Sequence, residues 1–342
     1  MCATCVSDVL RTRGDERRTQ IGVNMADSET FPTARTFAEI VRSERLTESS
    51  ATYSTVRLMA FLSGWPGLYF LARWARNPFV WVLVWVLQAL ILEGCNIGTH
   101  ESAHNNLYRR RSLNYLAGVA WSIPIIYNYA AYRAAHLEHH RYTHVPGRDS
   151  EPAHKERNIL EYVAYMAFSG VVYTGALLIE GLEAGVGKGR PWMRSGRRRR
   201  LAIVSTVVVG AELGLMAVGF AQAPRLTVQL WLVPFLLSAV FLAPMVTHPE
   251  HTDCEVGPES PFRTTRTTYS NRFMGFFIWN INLHTAHHLV PSIPGQKLPK
   301  FQPYVDPYCQ FTSRSYVSWH AGVVLRLIGG KKAAPAAQVV AE

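Results

Sequence analysis

The chain has 342 residues, 48% of them hydrophobic and only 17% charged. Soluble domains carry about 25% charged residues, so the deficit speaks against a wholly water-exposed protein and for a membrane one. The formal net charge of +11 calls for anionic surroundings, whether a lipid surface, an acidic carrier protein or nucleic acid. The apolar runs described below favour lipid, and no nucleic-acid fold pattern accompanies the charge.

Residues 1–55 are polar and rich in Arg, Glu, Ser and Thr, which predicts a cytoplasmic tail, flexible or weakly helical. No apolar signal-peptide core interrupts it, and Met25 is a second candidate start. Cys2 and Cys5 form a lone CxxC, a weak metal or redox signal. With Cys95, Cys254 and Cys309 they make an odd, scattered set that is no disulfide framework, in keeping with a reducing compartment.

The apolar runs then begin. Residues 58–72 form a short one broken by Pro66, and 78–96 a long one uncharged until Glu93. Residues 113–131 are moderately apolar and broken by Pro124, and 159–178 are amphipathic. Residues 201–222 and 226–247 each have the roughly 20-residue length that crosses a bilayer core as helix. This predicts an all-α integral membrane protein with about four transmembrane helices in two hairpins, 57–72 with 78–99 and 201–222 with 226–248. The runs 113–131 and 159–178 become interfacial or re-entrant segments; if both crossed, there would be six spans. Arginines at 109–111, 194 and 197–200 place both hairpin bases in the cytoplasm by the positive-inside rule, with Arg73 and Arg76 a minor violation. The expected organisation is a tail over 1–55, a membrane domain over 56–305 with a histidine-rich cytoplasmic cap, and a C-terminal cytoplasmic segment with a flexible end over 306–342.

All 13 histidines follow residue 99. HESAH at the end of the second span puts His100 and His104 on one helix face. HLEHH does the same for His136, His139 and His140, and HTAHH for His284, His287 and His288. Adjacent histidines point about 100° apart on a helix, so one pair can reach two different ions. His248 and His251, in THPEH, end the fourth span. A single histidine is usually a core residue, and His154 and His320 read as surface or packing residues. Three spaced clusters brought to one side predict metal binding. Eight or nine imidazoles exceed the four ligands of a tetrahedral zinc site and suit two first-row ions; imidazole alone does not choose iron over Zn, Cu or Ni.

HESAH, HLEHH and HTAHH, in this order and spacing, resemble the three histidine boxes of the integral-membrane fatty acid desaturase and hydroxylase superfamily, and the residues from 263 to 301 resemble the third-box region of bacterial acyl-lipid desaturases. The resemblance covers roughly residues 55–305. It implies a non-haem di-iron centre on the cytoplasmic side of a bacterial membrane, using O2 as co-substrate and fed by a tunnel from the membrane. The implied metal ligands are His100, His104, His136, His139, His140, His284, His287 and His288, with His251 as the further ligand and His248 its reserve. Asp149 and Glu151 resemble the acidic follow-on of the second box; His144, His248, Asp149, Asn280 and Asn282 are the candidate neighbours that steady the ligands, packing being an equal alternative for the asparagines. The first box is HxxxH where many animal members have HxxxxH; both spacings occur in the superfamily. No cytochrome-b5-like segment is visible, so the expected electron donor is a separate protein such as a ferredoxin with its reductase, and an acidic donor would suit the basic face.

Removing hydrogen from an unactivated C–H bond needs an oxidant that no side chain supplies. Loss of two hydrogens gives a double bond and insertion of oxygen gives an alcohol, and the boxes do not separate the two. The expected reaction is desaturation of a fatty acyl chain carried as lipid, CoA or carrier-protein ester. The alternatives are a hydroxylase or ketolase of the same superfamily and, remotely, a metal transporter, whose ligands would sit near the bilayer midplane. Trp81, Trp85, Trp121 and Trp279 are candidates for the tunnel wall or for packing, and Glu212, mid-span, for a function or a packing contact.

Overall fold

The computed structural model of the chain describes residues 31–152, 154–256 and 260–329. Cys2, Cys5, Met25 and the end of the C-terminal segment fall outside them. Among the described residues the only sheet is a two-stranded parallel pair, Thr267–Thr268 (β1) with Thr312–Ser313 (β2). Helices form the rest of the framework.

The short helix Ala34–Ser43 (α1) lies within the stretch read as a tail. Its Phe37 and Val41, one turn apart, share a face and pack with Leu46 into a core that includes Phe262, Leu289 and Phe301.

Helices Ala51–Ala75 (α2) and Pro78–Ala103 (α3) make the first hairpin. Arg76 ends α2 in the left-handed region (φ 50°). The Asn77 side chain caps α3 by accepting from Phe79 N–H at 2.8 Å, and Pro78 occupies the first turn, where a missing N–H costs nothing. On α3, Gly98 is a requirement of packing: a Cβ there would lie 2.6 Å from the Trp121 ring.

Pro124 splits the run at 113–131 into Arg111–Ser122 (α4), a single 3-10 turn at Ile123–Ile125, and Tyr129–Tyr142 (α5). The reversal is completed by Ile126 in the left-handed region (φ 59°) and by Asn128, which caps α5.

The next helix, Ile159–Gly185 (α6), is longer and more apolar than the interfacial segment expected at 159–178. The second hairpin is Gly196–Gln222 (α7) with Pro224–His251 (α8). Within α8, two segments, Val228–Leu232 and Ser238–Leu242, are wound as π-helix. Pro234 and Pro249 lack the N–H that would bond the carbonyl four residues back. Those carbonyls find other donors: the Trp65 indole reaches Leu230 O at 2.8 Å, and His320 Nε2 lies 3.0 Å from Met245 O. Trp85 likewise donates to Gln229 O at 3.1 Å.

Four described helices are long and apolar enough to cross a membrane: α3, α6, α7 and α8. The set differs from the expected one, since α2 falls short of that composition, carrying Arg57, Arg73, Pro66 and several serines and glycines, and α6 reaches it. The connections nevertheless preserve two hairpins based at one end. α6 starts just after Glu156, which meets His248 near the end of α8 (2.6 Å), and its last carbonyl, Gly185 O, accepts from Arg199 at the start of α7 (3.0 and 3.1 Å). It therefore joins two points at the same end of the second hairpin. Beyond α8 the short helices Pro261–Thr264 (α9), Arg272–Phe277 (α10), His284–Leu289 (α11) and Leu298–Val305 (α12), with Tyr316–Ile328 (α13), complete a cap over that end.

Candidate metal centre

Four segments deliver imidazoles to the cap. His100 and His104 come from the end of α3, His136, His139 and His140 from α5, His251 from the last residue of α8, and His284, His287 and His288 from α11. The loop before α11 is fixed by Trp279 Nε1 donating to Gly94 O (3.0 Å) and Asn280 Nδ2 donating to Gly295 O (3.0 Å), with Trp279 and Asn280 both in the left-handed region.

Two groups form. Donor atoms of His100, His104, His136, His140 and His287 all lie within 4.8 Å of one another, and so do those of His139, His251 and His288. In the first group the Nε2 atoms of His136 and His140, and of His140 and His287, are 3.0 Å apart. In the second, His251 Nε2 stands 3.1 Å from His139 Nε2 and 2.9 Å from that of His284, which adds a fourth ring. His140 and His288 stack at 4.1 Å and join the two groups. All nine residues expected as ligands are thus brought together.

Carboxylates aim the rings. His136 Nδ1 is 3.1 Å from Glu151 Oε2, and His139 Nδ1 is 2.8 Å from Asp149 Oδ1. Asp149 is itself held by the backbone N–H groups of His144 (2.7 Å) and Glu151 (2.9 Å). Tyr173 donates to Glu151 at 2.5 Å, and His251 Nδ1 donates to Thr264 O at 3.0 Å. A ring that donates through Nδ1 presents its Nε2 lone pair inward.

Burial favours the neutral form of most of these rings. It pulls His136 down to about 4 against the opposing pull of Glu151, and holds His140, His284, His287 and His288 well below the ordinary histidine value, with neighbouring rings adding to the effect. Burial also acts to lower His139, but its hydrogen bond to Asp149 and that carboxylate's charge outweigh it, and the net shift is upward. Burial would raise Glu151, yet the charge and hydrogen bond of His136 override it and bring it to about 2. Neutral imidazoles with lone pairs converging at about 3 Å repel one another unless a cation sits between them. A buried, all-imidazole donor set with no thiolate fits first-row transition ions and is a poor cage for Mg2+ or Ca2+.

The remaining expected residues fall elsewhere. The His144 ring lies 5.3 Å from that of His251 but bonds Glu255 O at 2.6 Å. His248 turns away from the groups to Glu156 and Thr252. Asn282 donates to Thr268 O, so it and Asn280 tie backbone segments and touch no imidazole nitrogen. His154 stacks on Tyr165, and His320 bonds Tyr162. Tyr173, Thr264 and Tyr132, which stacks on His136 at 5.4 Å, lacked any local sequence signal because their role depends on which segments meet.

A cavity of about 690 Å³ opens onto both groups. His100, His136, His139, His251 and His284 form one part of its wall, and Ala164, Tyr165, Phe168, Val172 and Tyr173 of α6, with Pro244 of α8, another. None of Trp81, Trp85, Trp121 and Trp279 lines it; Trp121, for one, packs edge-on against Phe61 and Trp279. Glu212 is also outside it, buried on α7.

Helical hairpins that bring histidine clusters to one apolar-walled cavity define a membrane oxidoreductase of the three-box kind. Residues 79–320, more than two thirds of the chain, match the family model described as fatty acid desaturase, and the chain belongs to that family. It is similar to an sn-1 oleoyl-lipid 12-desaturase of Arthrospira platensis, 26% identical over 283 residues that cover 73% of this chain and 76% of that enzyme. An sn-1 acyl-lipid omega-3 desaturase (ferredoxin) of Synechocystis sp. is 22% identical, covering 70% of this chain and 71% of its own. A zeaxanthin 4-ketolase of Chlamydomonas reinhardtii is 24% identical, covering 60% of this chain and 40% of its own.

Proposed function

We propose that the protein is an O2-dependent acyl desaturase whose two imidazole groups hold a pair of iron ions. The observation that carries this reading is the junction of the two groups with an apolar-walled cavity large enough for a long alkyl segment. Bound iron would supply the oxidising power that side chains lack. The balance is R–CH2–CH2–R′ + O2 + two electrons + two protons giving R–CH=CH–R′ + two waters. The protein's part is placement. Glu151 and Asp149 set the tautomer and direction of His136 and His139, and the walls from α6 and α8 orient the chain and exclude water.

The substrate is a fatty acyl chain carried as lipid, CoA or carrier-protein ester; the desaturases named above support an acyl lipid. Electrons come from a separate donor such as a ferredoxin with its reductase, a donor type named for the Synechocystis relative. Arginines at 109–111 and 197–200, near the cap ends of both hairpins, support a cytoplasmic site in a bacterial membrane. A second reading, oxygenation of a lipid or carotenoid, is favoured by the similarity to the ketolase.

The deciding experiment is expression in a host of defined fatty acid composition, with mass spectrometry of lipids and acyl thioesters and His139→Ala as control. A product lighter by two hydrogens, formed by the wild type alone, is the expected result. A product heavier by one oxygen moves the assignment to the second reading. If neither forms and the purified protein holds no iron, both readings fall.

A further inference from the structure

Beyond the metal groups, toward the interior of the membrane helices, a second and much smaller cavity adjoins the first. The two share Asn96, Tyr127, Gly170 and Ala243 as wall residues. The smaller one is about 20 Å³, room for one water-sized group. Its wall is mixed: Glu93, Asn96, Ser238, Tyr127 and Thr174 meet there beside Ile125, Phe235 and Ala239. Glu93 is completely buried. One of its oxygens takes the Asn96 amide at 3.3 Å, while the other, Oε2, has no partner in good hydrogen-bond geometry among the described residues, although the Ser238 hydroxyl is near enough to interact with the carboxyl group. A buried polar atom left unpaired is costly, and a carboxylic group at membrane depth is a functional candidate by default.

The local geometry is built around this pocket. Ser238 opens the second π-helical segment of α8, and π-turns tend to mark functional positions. Gly170 of α6 lets that segment come close: a Cβ there would overlap the Ala239 carbonyl. Glu93 stands two turns before His100 on α3, about 10 Å along the helix at 1.5 Å per residue.

We propose that this pocket is a substrate subsite that receives an oxygen function, a hydroxyl or a carbonyl, carried by the apolar chain at its end remote from the headgroup. The proposal deepens the acyl-oxidation reading and rests on it for the identity of the chain, though not for the pocket itself. A chain lying past the metal groups would set its oxygen against Glu93, Asn96 and Ser238, and that oxygen would supply the partner Glu93 Oε2 lacks. A plain methyl end would leave the carboxyl group unpaired or force it to keep a water. The substrate class is therefore a long alkyl or isoprenoid chain with a polar terminus, and Glu93 is the residue that selects it.

The test uses purified full-length protein in detergent. A homologous series of saturated fatty acids and the ω-hydroxy acids of the same lengths compete with a fluorescent fatty acid for binding. At one chain length the ω-hydroxy acid is expected to bind at least about tenfold more tightly than its methyl-ended counterpart, the size of one well-made buried hydrogen bond. Glu93→Leu brings that ratio to about one, Glu93→Gln keeps most of it, and Glu212→Leu, another intramembrane carboxylate outside the cavity, leaves it unchanged. If Glu93→Leu does not fold, Ser238→Ala provides the smaller cut, with a partial fall in the ratio expected. Equal binding of both series by the wild type at every length means a trapped water only and overturns the proposal, as does a ratio that survives Glu93→Leu. Product analysis with the same variants in the expression host, where O2 and electron donors are supplied, separates the two readings: selective binding without any oxidised product keeps the subsite and sinks the desaturase.

Discussion

Glu151 binds His136 and Tyr173 at once, with Oε2 3.1 Å from the imidazole Nδ1 and Oε1 2.5 Å from the phenol oxygen. One carboxylate thus connects the His136 ring on α5 to the cavity wall on α6. Removing its charge should loosen the ring without removing a ligand. Glu151→Gln is expected to weaken metal binding by roughly 10- to 100-fold, measured by competition with a chromogenic chelator. Unchanged affinity would mean that His136 is oriented by packing alone, chiefly its stack on Tyr132.

The two groups share no ligand, so they should be separable. His288→Ala is expected to cost one ion of the pair and leave the five-imidazole group loaded; His287→Ala should do the reverse. Metal analysis of the purified variants checks this, and loss of both ions from either variant would show that the groups load as one unit.

Metal bound only by the folded state adds to its stability by mass action. Stripping with a strong chelator should therefore lower the thermal midpoint of the wild type and lower it less in His288→Ala. A midpoint indifferent to chelator would argue that the cap is held together by its apolar contacts and not by the ions.

Gly98→Ala should destabilise the first hairpin by about 1–3 kcal/mol, the usual range for overpacking, because its Cβ would press on Trp121. Gly67→Ala, where nothing lies within 4 Å, is the matched control and should be neutral or stabilising by up to about 1 kcal/mol, the helix preference of Ala over Gly. Thermal unfolding in detergent compares them.

Trp65→Phe keeps an aromatic ring, though a smaller one, and removes the donor that answers Leu230 O. A carbonyl left unpaired costs up to about 1–3 kcal/mol when fully buried; this one is part-buried, so the variant should melt somewhat earlier than wild type. An unchanged midpoint would mean that the π-turn carbonyl finds another donor.

The convergence of the nine histidines was legible because each box is a local pattern. Spacings of three and four on a helix are printed in the chain, and α5 and α11 only had to form. The hairpins were legible from apolar length, and Pro124 correctly marked a break. α6 was read short, ending at 178; the helix runs on to Gly185, with Glu180 turned toward Trp192 and Arg190. The turning of His248 to Glu156 was not legible, since it depends on how α6 approaches α8. The asparagines were ambiguous for the same reason: what Asn280 and Asn282 touch is decided by loops from elsewhere in the chain.

α11 contributes to both metal groups and is the last of the contributing segments to be synthesised. A ribosome that has released both hairpins into the membrane has still produced neither group in full. The nascent protein therefore passes through a stage in which the rings of α3, α5 and α8 are assembled at the membrane surface without their closing partners. If the groups hold ions, their full capture would be a late step in biogenesis, and a chain truncated before residue 284 would insert as a membrane protein with the first group short of one imidazole and the second reduced to His139 and His251.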